Sequence, residues 1–183
     1  MRTVSRLAVL LVSTGALAAT AAAMEEATTP PGWSVAGTHP AEYEMGLDRA
    51  TRRSGSASAF LRGRTPTAGG FGTLLQEIDA AHHRGRRVRL SGYAKAAGVA
   101  GWAGLWMRVD GPQGVLAFDN MQSRPIKGTA DWRRCEVVLD VPSGARAIWF
   151  GLLLSGPGQV WFDDLQVEAV DGAVPVTGTA SQR

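Results

Sequence analysis

Trp102, Trp106 and Arg108 stand at alternating positions in GWAGLWMRVDGPQGVLAFDNMQ, the stretch from Gly101 to Gln122. Successive side chains of a strand point to opposite faces, so these three share one face with Gly104. Ala103, Leu105, Met107 and Val109 form the opposite, apolar face. Indoles are rigid apolar planes, and a guanidinium fixes polar groups through paired hydrogen bonds. That set suits stacking on the flat, weakly polar face of a sugar ring or a similar polyhydroxylated ligand. The competing reading is that Trp102 and Trp106 pack under a loop.

Which residues join them depends on the hairpin register around the turn Asp110-Gly111-Pro112-Gln113-Gly114. With a clean five-residue loop, Val109 faces Val115 and Trp106 faces Phe118, and Asn120 and Gln122 share the tryptophan face. A one-residue bulge flips the second strand, bringing Asp119 and Met121 there. The bulged form is preferred, because it buries Leu116 and Phe118 with Leu105 and Met107. Trp106, Arg108 and Asp119 are then the central trio. Asn120, Gln122, Tyr93 and Lys95 complete the candidate hydrogen-bonding set. Trp149 and Trp161 alternate with Ile148, Phe150, Val160 and Phe162, so one aromatic on each of these strands is expected outside the core.

Catalytic chemistry finds little support. His39, His82 and His83 have no metal-ligand spacing, and no G-x-S-x-G, H-E-x-x-H or P-loop is present. Asp119, Glu136, Asp140, Asp163 and Asp164 offer carboxylates that a glycan hydrolase would need in pairs. With 16 acidic residues in 183, such pairs arise by chance. Cys135, the single cysteine, sits in the alternation Cys135, Val137, Leu139, Val141, which predicts a buried small hydrophobe rather than a nucleophile. With one thiol the chain forms no internal disulfide, and burial must hold the fold.

The elements that must position these residues are short β-type runs between Gly, Pro, Asp and Ser punctuation. They are Trp33–Gly37, Ala57–Arg62, Gly72–Asp79, Arg87–Ala94, Ala103–Val109, Val115–Met121, Arg133–Asp140, Ala147–Leu154 and Val160–Val170. About nine strands and 23 glycines, with no internal repeat and no long amphipathic helix, predict an all-β jelly-roll β-sandwich. Thr73 to His83 is also spaced for a helix, but the glycines upstream favour a strand ending near Asp79, followed by a turn. Met1 to Ala23 has the charged, apolar and small-residue parts of a signal peptide, so residues 1–23 are expected to be cleaved without leaving a stable membrane anchor. Residues 24–31 read as a flexible N-terminus, 32–170 as the sandwich domain and 171–183 as a flexible tail. Arg2 and Arg6 precede the cleavage point and all acids follow it, so the remainder is nearly neutral. Arg84, Arg86, Arg87 and Arg89 divide between strand faces, which predicts a solvated edge and no nucleic-acid partner.

Three segments carry a family resemblance. RRVRLSGYAKA (Arg86 to Ala96), DWRRCEVVLDVPSGARAIWFGLLLSG (Asp131 to Gly156) and GQVWFDDLQVE (Gly158 to Glu168) resemble strands of the galactose-binding-domain-like jelly rolls shared by many carbohydrate-binding modules. Stretches similar to GWAGLWMRVDG and FDNMQ also occur in bacterial multidomain proteins, including transcription regulators. The resemblance spans Gly32 to Val170. It implies a structural calcium between Asp163 or Asp164 and Asp48 or Glu44. Calcium needs about six to eight oxygens, and these few acids also fit a capped turn, so no metal or other cofactor is expected. The resulting expectation is a periplasmic or secreted, non-catalytic, monomeric module that binds a carbohydrate. The alternatives are a protein-binding or sensory module meeting an envelope protein, and a hydrolase using two carboxylates.

Overall fold

A computed structural model of the chain describes residues 29–180. The expected signal peptide, residues 1–23, lies outside the described residues. Among the described residues no helix is long and apolar enough to cross a membrane.

The alternation that opens the sequence sets the architecture. Ala103, Leu105, Met107 and Val109 are fully buried, and so are Val88, Leu90, Ala94 and Ala96 upstream, in the opposite parity. Both stretches belong to one strand, β5 (Arg86–Gly111). Its partners differ along its length. The first half lies between β7 (Ile126–Val141) and β9 (Gln159–Val170). The second half lies between β8 (Ala147–Ser155) and β6 (Gly114–Asp119).

Antiparallel pairing extends both sets. β9 continues to β3 (Ser58–Gly63) and β2 (Tyr43–Asp48). β8 continues to β4 (Phe71–Asp79) and β1 (Ser34–Gly37). The fold is therefore all-β, one large antiparallel sheet in which β5 crosses from a first layer (β2-β3-β9-β5-β7) to a second (β1-β4-β8-β5-β6). Register shifts at Ala94/Ala96, Ala96/Val99 and Val99/Ala103 let the strand turn the corner. Inward residues of both layers form a single core, with Leu61, Leu90 and Phe162 from the first and Leu74, Leu105 and Leu152 from the second.

Several expected boundaries change. Arg87–Ala94 and Ala103–Val109 are parts of one strand, because the glycines between them bend it without ending it. Two strands went unforeseen, β2 and the short β10 (Thr179–Ala180). Thr73–His83 does divide into strand and turn: β4 ends at Asp79, whose carboxylate accepts the Ala81 N–H in a 3₁₀ turn over Ala80–His82. The stretch expected as a flexible tail is held in place through its last described residues. Arg87 donates to the carbonyls of Gly172 and Val174, Thr177 exchanges hydrogen bonds with Val138, and β10 pairs with β6.

The hairpin register also differs. Gly111 pairs with Gly114, so the turn is Pro112-Gln113, and a bulge between Val109 and Asp110 leaves Leu116 as the extra residue. The shorter turn and the bulge offset each other in parity. Arg108 consequently faces Phe118, Met107 faces Asp119, and Phe118 is 40% exposed rather than buried with Leu105 and Met107.

Candidate functional site

The outer face of the second layer carries the expected aromatic row. Along β5 and β8 the outward pairs are Trp102 with Ser155, Gly104 with Leu153, Trp106 with Gly151 and Arg108 with Trp149. Trp106 reaches across β8, over Gly151, and its indole N–H donates to Thr73 Oγ1 at 2.8 Å. Thr73 Oγ1 in turn donates to the Leu152 carbonyl at 2.7 Å. That chain of bonds ties the ring to β4 across the intervening strand. Met121 and the Asn120 carbonyl sit on Gly104, 3.0 and 3.2 Å from where a Cβ would be. The row is thus divided: a loop packs between Trp102 and Trp106, and both indoles are half-buried.

Arg108 is held by Asp110 at 2.8 Å and lies 5.8 Å above the Trp149 ring. One aromatic on each strand lies outside the core, as expected: Trp149 and Trp161 point outward, while Phe150 and Phe162 enter the core.

Asp119 is not beside Trp106. Its side chain turns inward, 8% exposed, because its strand position pairs with the core residue Met107. It accepts both Arg124 Nη groups, the Met121 N–H and the Thr177 hydroxyl. It thereby ties together the loop after β6 and the C-terminal segment. This is an anchoring role that sequence reasoning missed, since Arg124 and Thr177 carry no local signal. Asn120 accepts the Gln122 N–H in a tight turn, and the Gln122 side chain is exposed.

Tyr93 and Lys95 belong to the first half of β5 and so to the other layer's outer face. The Arg53 guanidinium stacks 3.6 Å from the Tyr93 ring centre, and Lys95 pairs with Asp131 at 2.8 Å. Neither is brought to the tryptophan row.

The acids considered for calcium are occupied by the loop from Arg49 to Gly55. Asp163 accepts the Arg53 and Ser54 N–H groups, and Asp164 bonds the Arg53 guanidinium and the Ser54 hydroxyl. Asp48 accepts the Ala50 and Thr51 N–H groups and the Trp161 indole N–H. Burial raises the Asp48 carboxyl's pKa, but the Thr51 N–H and the Trp161 and Ala50 bonds outweigh it, leaving a net lowering. Ser54 and Arg53 hold Asp164 below the usual carboxylate range against a smaller desolvation effect. Glu44 pairs with Arg62. Among the described residues no group of three or more His, Cys, Asp or Glu is arranged to hold a metal. Burial pushes the Cys135 thiol up to about 12, so at neutral pH it is protonated and inert.

A cleft of about 440 Å³ opens between the layers at the end bearing Leu47 and Gln166. Its floor is apolar: Leu90, Phe162, Leu165 and Val167 of the first layer, Phe150 of the second, and Trp33 set edge-on to Phe150. Gln76 faces into it from β4, beside Phe150. No sequence pattern marked this site, because its walls come from segments far apart in the chain.

No protein-family profile matches the chain. It is 47% identical over 148 residues to the uncharacterized HTH-type transcriptional regulator YbfP of Bacillus subtilis (strain 168), a match covering 80% of this chain. The chain spans about half the length of that relative, 50%. The fold is similar to the CBM22-1 xylan-binding domain of Paenibacillus barcinonensis Xyn10C, with a TM-score of 0.57 and 17% identity over 81% of this chain and 92% of that one. It is also similar to the apo form of a cyclase from Fischerella sp., with a TM-score of 0.56 and 17% identity over 79% of this chain and 85% of that one. At such identities the structures show a shared β-sandwich, one that hosts carbohydrate-binding modules and enzymes alike. The regulator match overturns the expectation of an exported carbohydrate-binding module. The matched relative bears the name of a transcriptional regulator.

Proposed function

We propose that this β-sandwich is the regulatory half of a transcription-regulator-type protein, the part that takes up a small effector and does not read DNA. The supporting observation is the 47% identity to half of an HTH-type regulator, combined with an all-β body. Helix-turn-helix reading of DNA needs a helix laid in the major groove. Among the described residues the helical pieces are three-residue 3₁₀ turns at Pro40–Glu42 and Ala80–His82.

The charge distribution agrees. Arg87 and Arg89, within the densest run of arginines, are paired with Asp140 and with Glu168 and Glu136 across the strands, so they present no free cationic stripe. In this reading the domain is a jelly roll of the galactose-binding-like type, monomeric and non-catalytic, and its role is to couple occupancy by an effector to a partner domain.

Two measurements on the intact chain test it. Fluorescence anisotropy with mixed-sequence duplex DNA at moderate salt is expected to show no binding. A thermal-shift screen of small molecules, covering sugars, charged metabolites and neutral ring compounds, is expected to give dose-dependent stabilisation by at least one of them. DNA binding by this chain, or stabilisation by none of the three classes, overturns the proposal.

A further inference from the structure

We infer that the cleft between the two layers is the effector site, and that it takes a small, uncharged ring compound bearing one hydrogen-bonding group. The inference rests on the regulatory reading above and adds to it the site and the ligand class.

Three observations carry it. The first is size. The cleft measures about 440 Å³, within the range of roughly 300–1,000 Å³ that small-molecule pockets occupy. The second is an incomplete core. Leu47, Ala59, Leu165 and Val167 point inward like the fully covered Leu61 and Leu90, yet are only partly buried. Apolar side chains aimed between two layers are normally covered by the facing layer, and the uncovered area here is a surface that gains by being filled. Trp33, Phe150 and Phe162 supply flat walls for a ring.

The third is polarity. Gln76 is a carboxamide on the inward face of β4, between the core residue Leu74 and Ile78, which packs against the core. Among the described residues its side chain has no hydrogen-bond partner, although Gly32 lies close to its Nε2. An amide offers both a donor and an acceptor, so one hydroxyl, carbonyl or ring nitrogen of a ligand would satisfy it.

Charge is excluded by the same walls. Asp163 and Asp164 border the cleft, but their carboxylate oxygens are taken by Arg53, Ser54 and the Asp164 N–H. Among the described residues no unpaired cation or carboxylate lines the floor, and a charged ligand would be desolvated there without compensation. A sugar, with hydroxyls all round, would leave most of them unpaired.

The test uses 2-naphthol as neutral probe, 2-naphthoate as its charged counterpart and glucose as polyhydroxylated control, each titrated calorimetrically against the intact chain. Saturable binding of 2-naphthol is expected, with 2-naphthoate at least about tenfold weaker and glucose silent, the tenfold corresponding to about 1.4 kcal/mol. Ala59→Phe, which fills the cleft, is expected to abolish binding. Gln76→Leu keeps the volume and removes the amide, and is expected to weaken binding about fivefold, the worth of one hydrogen bond. Gln76→Leu alone decides if Ala59→Phe fails to fold. Equal binding of naphthol and naphthoate, or naphthol binding unchanged in both variants, overturns the cleft assignment. So does a chain that the screen shows to be stabilised only by sugars or charged metabolites, although the regulatory reading then survives. Failure of all classes in the screen removes that reading as well.

Discussion

The two halves of β5 share an inward pattern and differ outwardly. Inward, both present small and branched apolar side chains that are almost completely covered. Outward, the first half carries Arg87, Arg89, Tyr93 and Lys95, with Asp140, Glu168 and Glu136, Arg53 and Asp131 as their respective partners. The second half carries Trp102, Trp106 and Arg108, with Trp106 packed over Gly151 and Arg108 over Trp149 of the neighbouring strand. One outer face is thus a ladder of solvated ion pairs, and the other is a thin second layer of packing. Exposed pairs contribute little individually, whereas a half-buried indole contributes through area and shape. Arginine density in the first half therefore says less about a partner than the glycines in the second half say about how the indoles lie.

Substitutions can break this contrast. Gly151→Val strikes the second half hardest, since a Cβ there would fall 2.3 Å from the Leu74 carbonyl and 2.7 Å from Trp106 Nε1. Loss of the folded state, or at least about 3 kcal/mol by urea denaturation, is expected. Trp106→Ala removes the half-buried ring and leaves Thr73 without its donor, for about 2–3 kcal/mol, below the range of a wholly buried tryptophan. Asp119→Ala is expected to cost about 2 kcal/mol, discounted because Arg124 reaches solvent, and to make residues 174–180 the first site of protease cleavage.

Acid sharpens the comparison from the other side. Asp48, bonded to Trp161 on the first layer, has a depressed pKa, so its contribution is complete above its ordinary value of 3.8 and is lost as pH falls through the lower folded value. Asp48→Asn is expected to lower stability at pH 7, where the carboxylate's contribution is complete, and to flatten stability against pH below 3.8, where wild type and variant converge. The smallest effect belongs to the ladder. Arg87→Gln and Arg89→Gln are expected to shift the unfolding midpoint less than Trp106→Ala does, and the remaining difference should fade at high salt.

What was legible in the sequence follows from what strands encode locally. Period-two alternation placed Ala103, Leu105, Met107 and Val109 in the core and required one aromatic on each of β8 and β9 to lie outside it, a place that Trp149 and Trp161 take. It also placed Trp102, Trp106 and Arg108 on one face. Continuity and pairing were not legible. Nothing near Gly98 or Gly101 says that the chain bends rather than stops, and nothing near Asp119 announces Arg124 or Thr177. The hairpin shows the limit most clearly, because turn length and bulge each move the register by their own amount and only their sum sets the face. The cleft was invisible for a further reason: it is defined by facing residues that are missing, and absence leaves no motif.

The passage of β5 through both layers has a mechanical meaning. A sandwich of two separate sheets can open like a book, but here the spine is a continuous covalent strand hydrogen-bonded on each side. Neither leaf can fray without stripping partners from the other. Amide hydrogens of Leu90 and Leu105, in opposite leaves, should therefore exchange with one common opening free energy, the signature of a single cooperative unit.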